Sequence, residues 1–121
     1  MAVDEFRARV RRRDGVAVVD LEGDIDLAAE RPLAAAWAEA TADHGPVVLN
    51  FERVGYINST GIALVVGLLA RARQERRPIA ACCLSEHYRE IFNITRLSDF
   101  MGIHPDEESA VRGAPAGARP T

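Results

Sequence analysis

Residues 46–72, PVVLNFERVGYINSTGIALVVGLLARA, decide the architecture. Val47-Val48-Leu49-Asn50-Phe51 is an apolar, largely β-branched run between Gly45-Pro46 and Glu52-Arg53, the pattern of a strand buried on both faces. A short connection is expected next, then the small polar run Asn58-Ser59-Thr60-Gly61, then a helix. Ile62, Val65, Val66 and Leu69 fall at i, i+3, i+4 and i+7 and predict one buried helical face. Leu64 and Leu68 predict cover on a second side.

The start of that helix is the candidate functional point. The first N–H groups of a helix have no partner inside it, and the side-chain oxygens of Asn58, Ser59 and Thr60 can satisfy them. The same end carries partial positive charge and favours an anion. A hydroxyl there stands at the tip of a rigid strand–helix unit. Phosphorylation would add roughly −1.5 to −2 charge to a small neutral surface, which suits a binary switch. Helix capping alone explains the same residues, and pattern by itself favours capping, because many helices begin this way.

The chain has 121 residues, the size of one domain, and 48% of them are hydrophobic, enough for a core. A formal net charge of −3 argues against a nucleic-acid binder. All 15 basic residues are arginine. Met1 to Asp14 is charged and lacks the apolar core of a secretion signal. The apolar helix is short and closely flanked by arginine, so no membrane span is expected and the predicted location is cytoplasmic. Cys82 and Cys83 are neighbours, a strained geometry for a bridge, and read as small hydrophobes. His44, His87 and His104 are widely separated, without zinc-type spacing. There is no glycine-rich phosphate loop, and Ser59 lacks the flanking glycines of a hydrolase nucleophile. The expectation is a non-enzyme with no cofactor and no metal.

Toward the N-terminus, Phe6, Ala8 and Val10 alternate with Arg7, Arg9 and Arg11, a strand with an arginine-lined outer face suited to a sheet edge. Arg13-Asp14-Gly15 signals a hairpin turn into a second strand at Val16–Leu21. Asp26 is placed to cap a helix whose stripe is Leu33, Ala36, Trp37 and Ala40. Toward the C-terminus, Pro78 ends the central helix and Ile79–Leu84 reads as a buried strand. Ser85 caps a helix carrying Tyr88, Ile91 and Phe92. Leu97, Phe100, Met101 and Ile103 suggest a loop packing back on the core and a last short strand, with a brief helix over Asp106–Val111. From Gly113 the chain is Gly, Ala, Pro and Arg up to a closing Thr121, and a disordered tail is expected over 113–121 after a domain at 1–112. The order is β-β-α-β-α-β-α-β-α, an α/β fold with a mixed sheet of about five strands, an antiparallel N-terminal hairpin and about four helices.

Three strings in this order resemble the STAS domain, the fold shared by sulfate transporters and anti-sigma factor antagonists. Leu21-Glu22-Gly23-Asp24-Ile25-Asp26 is similar to the family's strand-ending Leu-x-Gly-acidic-aliphatic-Asp segment. Val47–Phe51 followed by Asn58-Ser59-Thr60-Gly61-Ile62 resembles its central strand and Asp-Ser-Ser/Thr-Gly-aliphatic switch, with Asn58 in place of the usual aspartate. Phe92–Phe100 resembles a Phe-x-x-x-Gly-Leu-x-x-x-Phe ending, with Arg96 in place of the glycine and Phe100 one place early. The likeness covers roughly residues 4 to 111.

The resemblance implies an anti-sigma factor antagonist. Its unphosphorylated form would bind an anti-sigma factor, itself a serine/threonine kinase, and so release a sigma factor. Phosphorylation would fall on Ser59, with Thr60 the second candidate, and a PP2C-type phosphatase would reverse it. Asp24, Asp26, Asn58, Ser59, Thr60 and Gly61 would form the partner surface, on a monomer or weak homodimer. The alternative is a constitutive interaction subunit of a signalling complex or of a lipid ABC transporter, with Ser59 only a helix cap. A small-nucleotide-binding regulator or enzyme is a third reading.

Overall fold

In the computed structural model, which describes residues 5–118 and side chains to residue 113, the period-two pattern at the N-terminus forms β1 (Arg7–Arg13). Phe6, Ala8 and Val10 turn toward the core, and Arg7, Arg9 and Arg11 stay outside. Asp14 and Gly15 both take positive φ, 52° and 81°, the conformation of a tight two-residue hairpin, and lead into β2 (Val16–Ile25). The Asp26 carboxylate accepts from the Ala28 N–H at 3.0 Å and caps a 3-10 turn at Leu27–Ala29. From that turn α1 (Glu30–Ala40) continues, with Pro32 tolerated in its first turn. Next come β3 (Val47–Ile57), α2 (Ser59–Gln74), β4 (Ile79–Cys82) and α3 (Glu86–Ile94). A second 3-10 turn at Leu97–Asp99 precedes β5 (Gly102–His104) and α4 (Glu107–Ala118).

The strands form one five-stranded sheet in sequence order, β1 antiparallel to β2 and every later pair parallel. This is the expected mixed sheet. Right-handed crossovers put α1, α2 and α3 on one face. There Leu33, Trp37, Val65, Leu68 and Phe92 pack with Val19, Leu21, Leu49 and Phe51. Phe92 meets Phe51 edge-on, ring centroids 5.7 Å apart. On the other face α4 sets Ala110 and Val111 over Val16, Val18, Val48, Ala80 and Cys82.

Several boundaries and faces differ from the sequence expectation. β3 does not give way to a connection after Phe51; it runs on to Ile57 beside an equally extended β2. Glu22 pairs with Arg53, Gly23 with Val54, Asp24 with Tyr56 and Ile25 with Ile57. The charges at Glu52 and Arg53 mark a strand with one side in solvent, not a loop. Val66, expected in the core, is 43% exposed, because Gly61, Val65, Leu68, Leu69 and Ala72 form the buried arc of α2 and Val66 lies outside it. Leu64 is only partly buried at the margin of the core, so the second covered side does not form. Phe100 is 54% exposed, under the Arg73 guanidinium at 5.7 Å, while Leu97 and Met101 supply the buried side chains of that segment. α4 carries the backbone to Ala118, past the boundary placed at 113; residues 119–121 of the expected tail lie outside the described residues.

Candidate functional site

Parallel pairing brings the carboxyl ends of β2 and β3 side by side, and α2 starts directly from the second. The ends of parallel strands are the usual place for sites in open α/β sheets. Asn58 makes the junction. Its backbone is extended, its Oδ1 accepts from the Gly61 N–H at 2.8 Å, and its carbonyl accepts from the Ile62 N–H at 2.9 Å. Its own N–H donates to the Ile25 carbonyl at 3.2 Å. One residue thus ties β2, β3 and α2 together. As an asparagine it supplies a capping oxygen and brings no charge.

Gly61 is fixed by close approach. A Cβ there would stand 2.0 Å from the Ile25 carbonyl oxygen and 2.9 Å from Ile57 Cγ2. Gly61 is therefore buried under the junction, not part of the contact surface on which it was expected. Ser59 and Thr60, between the cap and this glycine, are exposed. Among the described residues neither hydroxyl is engaged in a hydrogen bond. Capping falls to Asn58, and the two hydroxyls face solvent.

Asp24 and Asp26 lie at the same end of the sheet, both half-buried. Asp26 is committed to its 3-10 turn. Asp24 lies beside Gly55, where a Cβ would come within 3.2 Å of its Oδ1.

Tyr88 has a role here that its place in the α3 stripe does not reveal. Its hydroxyl oxygen accepts from the Ile57 N–H at 2.8 Å and lies 3.4 Å from the Ile57 carbonyl oxygen. Ser85, capping α3, accepts from the Tyr88 N–H at 3.2 Å. So α3 clamps the last residue of β3, next to the cap. No local signal marks this, since the two residues are 31 positions apart.

Elsewhere the chemistry is sparse. Among the described residues no group of three or more His, Cys, Asp or Glu gathers as metal donors. Cys82 and Cys83 are free, and burial pushes both thiols above the ordinary range, away from nucleophilic thiolate. An open polar groove of about 650 Å³, lined by Arg9, Glu52, Arg53 and Glu107 among others, does not include Ser59.

A family model described as the STAS domain matches residues 7–110. BtrV of Bordetella bronchiseptica, named as a candidate anti-sigma factor antagonist, is 34% identical over 105 residues, 85% of this chain and 87% of that protein. An anti-sigma factor antagonist from Mycobacterium paratuberculosis shares the fold with a TM-score of 0.79 at 23% identity, over 93% of this chain and 97% of that one. The Bacillus cell fate determinant SpoIIAA in its phosphorylated form gives 0.67 at 23% identity, over 87% and 96%.

Proposed function

This chain belongs to the STAS domain family, and from that premise we propose that it is an anti-sigma factor antagonist switched by phosphorylation at Ser59. The unphosphorylated form docks on an anti-sigma factor that is also a serine kinase, and a sigma factor is released. The observation that carries this reading is the exposed Ser59 hydroxyl, left over by a cap that Asn58 completes alone. Relatives named anti-sigma factor antagonists support the partner class, and SpoIIAA, solved with and without phosphate, supports the chemistry on this fold.

In the transfer step Ser59 Oγ forms a bond to the γ-phosphorus of ATP, the bond to the bridging oxygen breaks, ADP leaves, and the hydroxyl proton passes to a base on the kinase. The product carries roughly −1.5 to −2 charge where the docking surface had none. Asn58 and Gly61 hold the backbone beneath it, so the change is in charge and bulk and not in fold. Added like charge or steric bulk at a contact surface disfavours docking. A PP2C-type phosphatase hydrolyses the ester and restores the hydroxyl.

The test is incorporation of phosphate from ATP by a serine-kinase anti-sigma factor. The wild-type chain takes up one phosphate and Ser59→Ala takes up none, with the same circular dichroism. Equal incorporation in the variant overturns the assignment. Ser59→Asp is expected to weaken anti-sigma factor binding by about tenfold or more.

A further inference from the structure

The outward side of α2 carries a pattern that the fold does not use. Ser59, Ala63, Val66, Ala70 and Arg73 are all exposed and follow one another at intervals of four, three, four and three residues. That is the spacing of a helix-pairing seam. The inward arc, centred on Val65, Leu68 and Ala72, is already spent on the core. Alanines at the second and fourth seam positions let another helix approach closely. Val66 offers an apolar contact at the middle, and Phe100, under Arg73, another at the far end.

Charge along the seam is uneven. Asp26 heads the 3-10 turn that packs against α2, and the Asn58–Ile25 bond places it near the Ser59 end. Arg71 and Arg73 lie in the last turn of α2 and Arg76 just beyond, and among the described residues no ion pair engages them. The seam is also symmetric about Val66 to within one residue, its other members standing seven and three residues before it and four and seven after it. Read in reverse, position 59 meets 73 and position 63 meets 70. An antiparallel second copy therefore sets Val66 on Val66 and alanine on alanine, with each acidic end over a basic one. The opposed helix dipoles add to this, and the two-fold arrangement closes on itself. Each Ser59 then stands beside the second copy's Arg73. A phosphate there gains a guanidinium partner twice over, in charge-assisted hydrogen bonds.

We propose that phosphorylation of Ser59 drives antiparallel self-association of this chain along α2, the Ser59 phosphate of each copy pairing with Arg73 of the other across a Val66–Val66 contact. The proposal rests on Ser59 as the modified residue and deepens that reading: the phosphorylated form hides its docking face in a second copy.

Phosphoserine is encoded genetically at position 59, so that no kinase is needed, and mass is followed by sedimentation equilibrium. The phosphorylated chain is expected to dimerise about tenfold or more tightly than the unmodified chain, less so as salt rises. Val66→Glu and Arg73→Glu, both at exposed positions, should each return it to monomer with unchanged circular dichroism. Equal association with and without phosphate overturns the proposal, as does a dimer indifferent to both substitutions. It is also overturned if these substitutions abolish anti-sigma factor binding and leave self-association untouched, since the seam then serves a partner's helix. A phosphoserine chain that stays monomeric while a kinase still labels Ser59 sinks the self-association alone and leaves the proposed function standing.

Discussion

Arg96 occupies a position shaped for glycine. It follows α3 with φ 67° and ψ 18°, in the left-handed region, and its N–H donates to the Asn93 carbonyl at 3.1 Å in a helix-ending turn. Left-handed backbone costs a residue with a Cβ about 1–2 kcal/mol. The ion pair of Arg96 with Asp99 at 2.8 Å is open to water and offsets little of that. Arg96→Gly should therefore raise the urea midpoint with the slope unchanged; a lower midpoint would mean that the ion pair governs this turn. Gly61 is the opposite case. Gly61→Ala drives a methyl group into the Ile25 carbonyl, a backbone atom that cannot swing aside. Overpacking of this kind costs about 2–3 kcal/mol, and a thermal melt should show it as a clear fall in Tm. Both glycine positions were visible as departures from or matches to a string. The reason for Gly61 was not, because it lies in the approach of β2 to α2, which no local pattern encodes.

Between elements, the tightest tie at the candidate site is the Tyr88 hydroxyl on Ile57. Tyr88→Phe keeps the ring in place and removes the acceptor for a buried N–H, at a cost of about 1–3 kcal/mol. Hydrogen exchange should quicken at the Ile57 amide and stay unchanged in β4; equal protection at Ile57 would dismiss the clamp. Elements built on one strong local pattern were readable in advance. The stripe Leu33, Ala36, Trp37 and Ala40 is buried as its spacing demands, and β1 alternates as its arginines require. What could not be read depends on which neighbour arrives. Glu52 and Arg53 belong to a strand only because β2 runs on beside them. Val66 has the right spacing for a buried face, but the packing chose a neighbouring arc. Arg12, on the inward register of β1, spans to the end of α1 and donates to the Glu39 and Ala40 carbonyls at 3.1 Å each. Of the candidate site, the Asn58–Gly61 string was readable, whereas the division of labour between Asn58 and Ser59 needed the hydrogen bonds.

Across the whole molecule, one carboxylate joins the first strand, the central strand and the last helix. Glu107, at the start of α4, accepts from Arg11 at 2.6 Å, from Arg13 at 2.8 Å and from Asn50 at 3.0 Å. Arg11 in turn holds Asp20 at 2.6 Å. This fastens α4 over the sheet face that α1, α2 and α3 leave uncovered. The Arg11 hydrogen bond, with help from Arg13 and Asn50 and against the cost of burial, pulls the Glu107 carboxyl from 4.5 down to about 2. A carboxyl whose pKa is lower in the folded chain stabilises it fully above the unfolded value and loses that contribution as pH falls through the folded one. The Glu107 side chain is only 15% exposed, but its arginines are 40–41% exposed, so screening reduces the contribution to about 1–2 kcal/mol. Glu107→Gln preserves the shape and removes the charge. It should lower stability near neutral pH by that amount, and the gap to the wild-type chain should close between pH 4.5 and 2. Urea midpoints of the two proteins across this range make the comparison, and their difference cancels every other carboxyl that both share. A gap that stays constant on acidification would show that packing of Ala110 and Val111, and not the Glu107 charge, keeps α4 on the sheet.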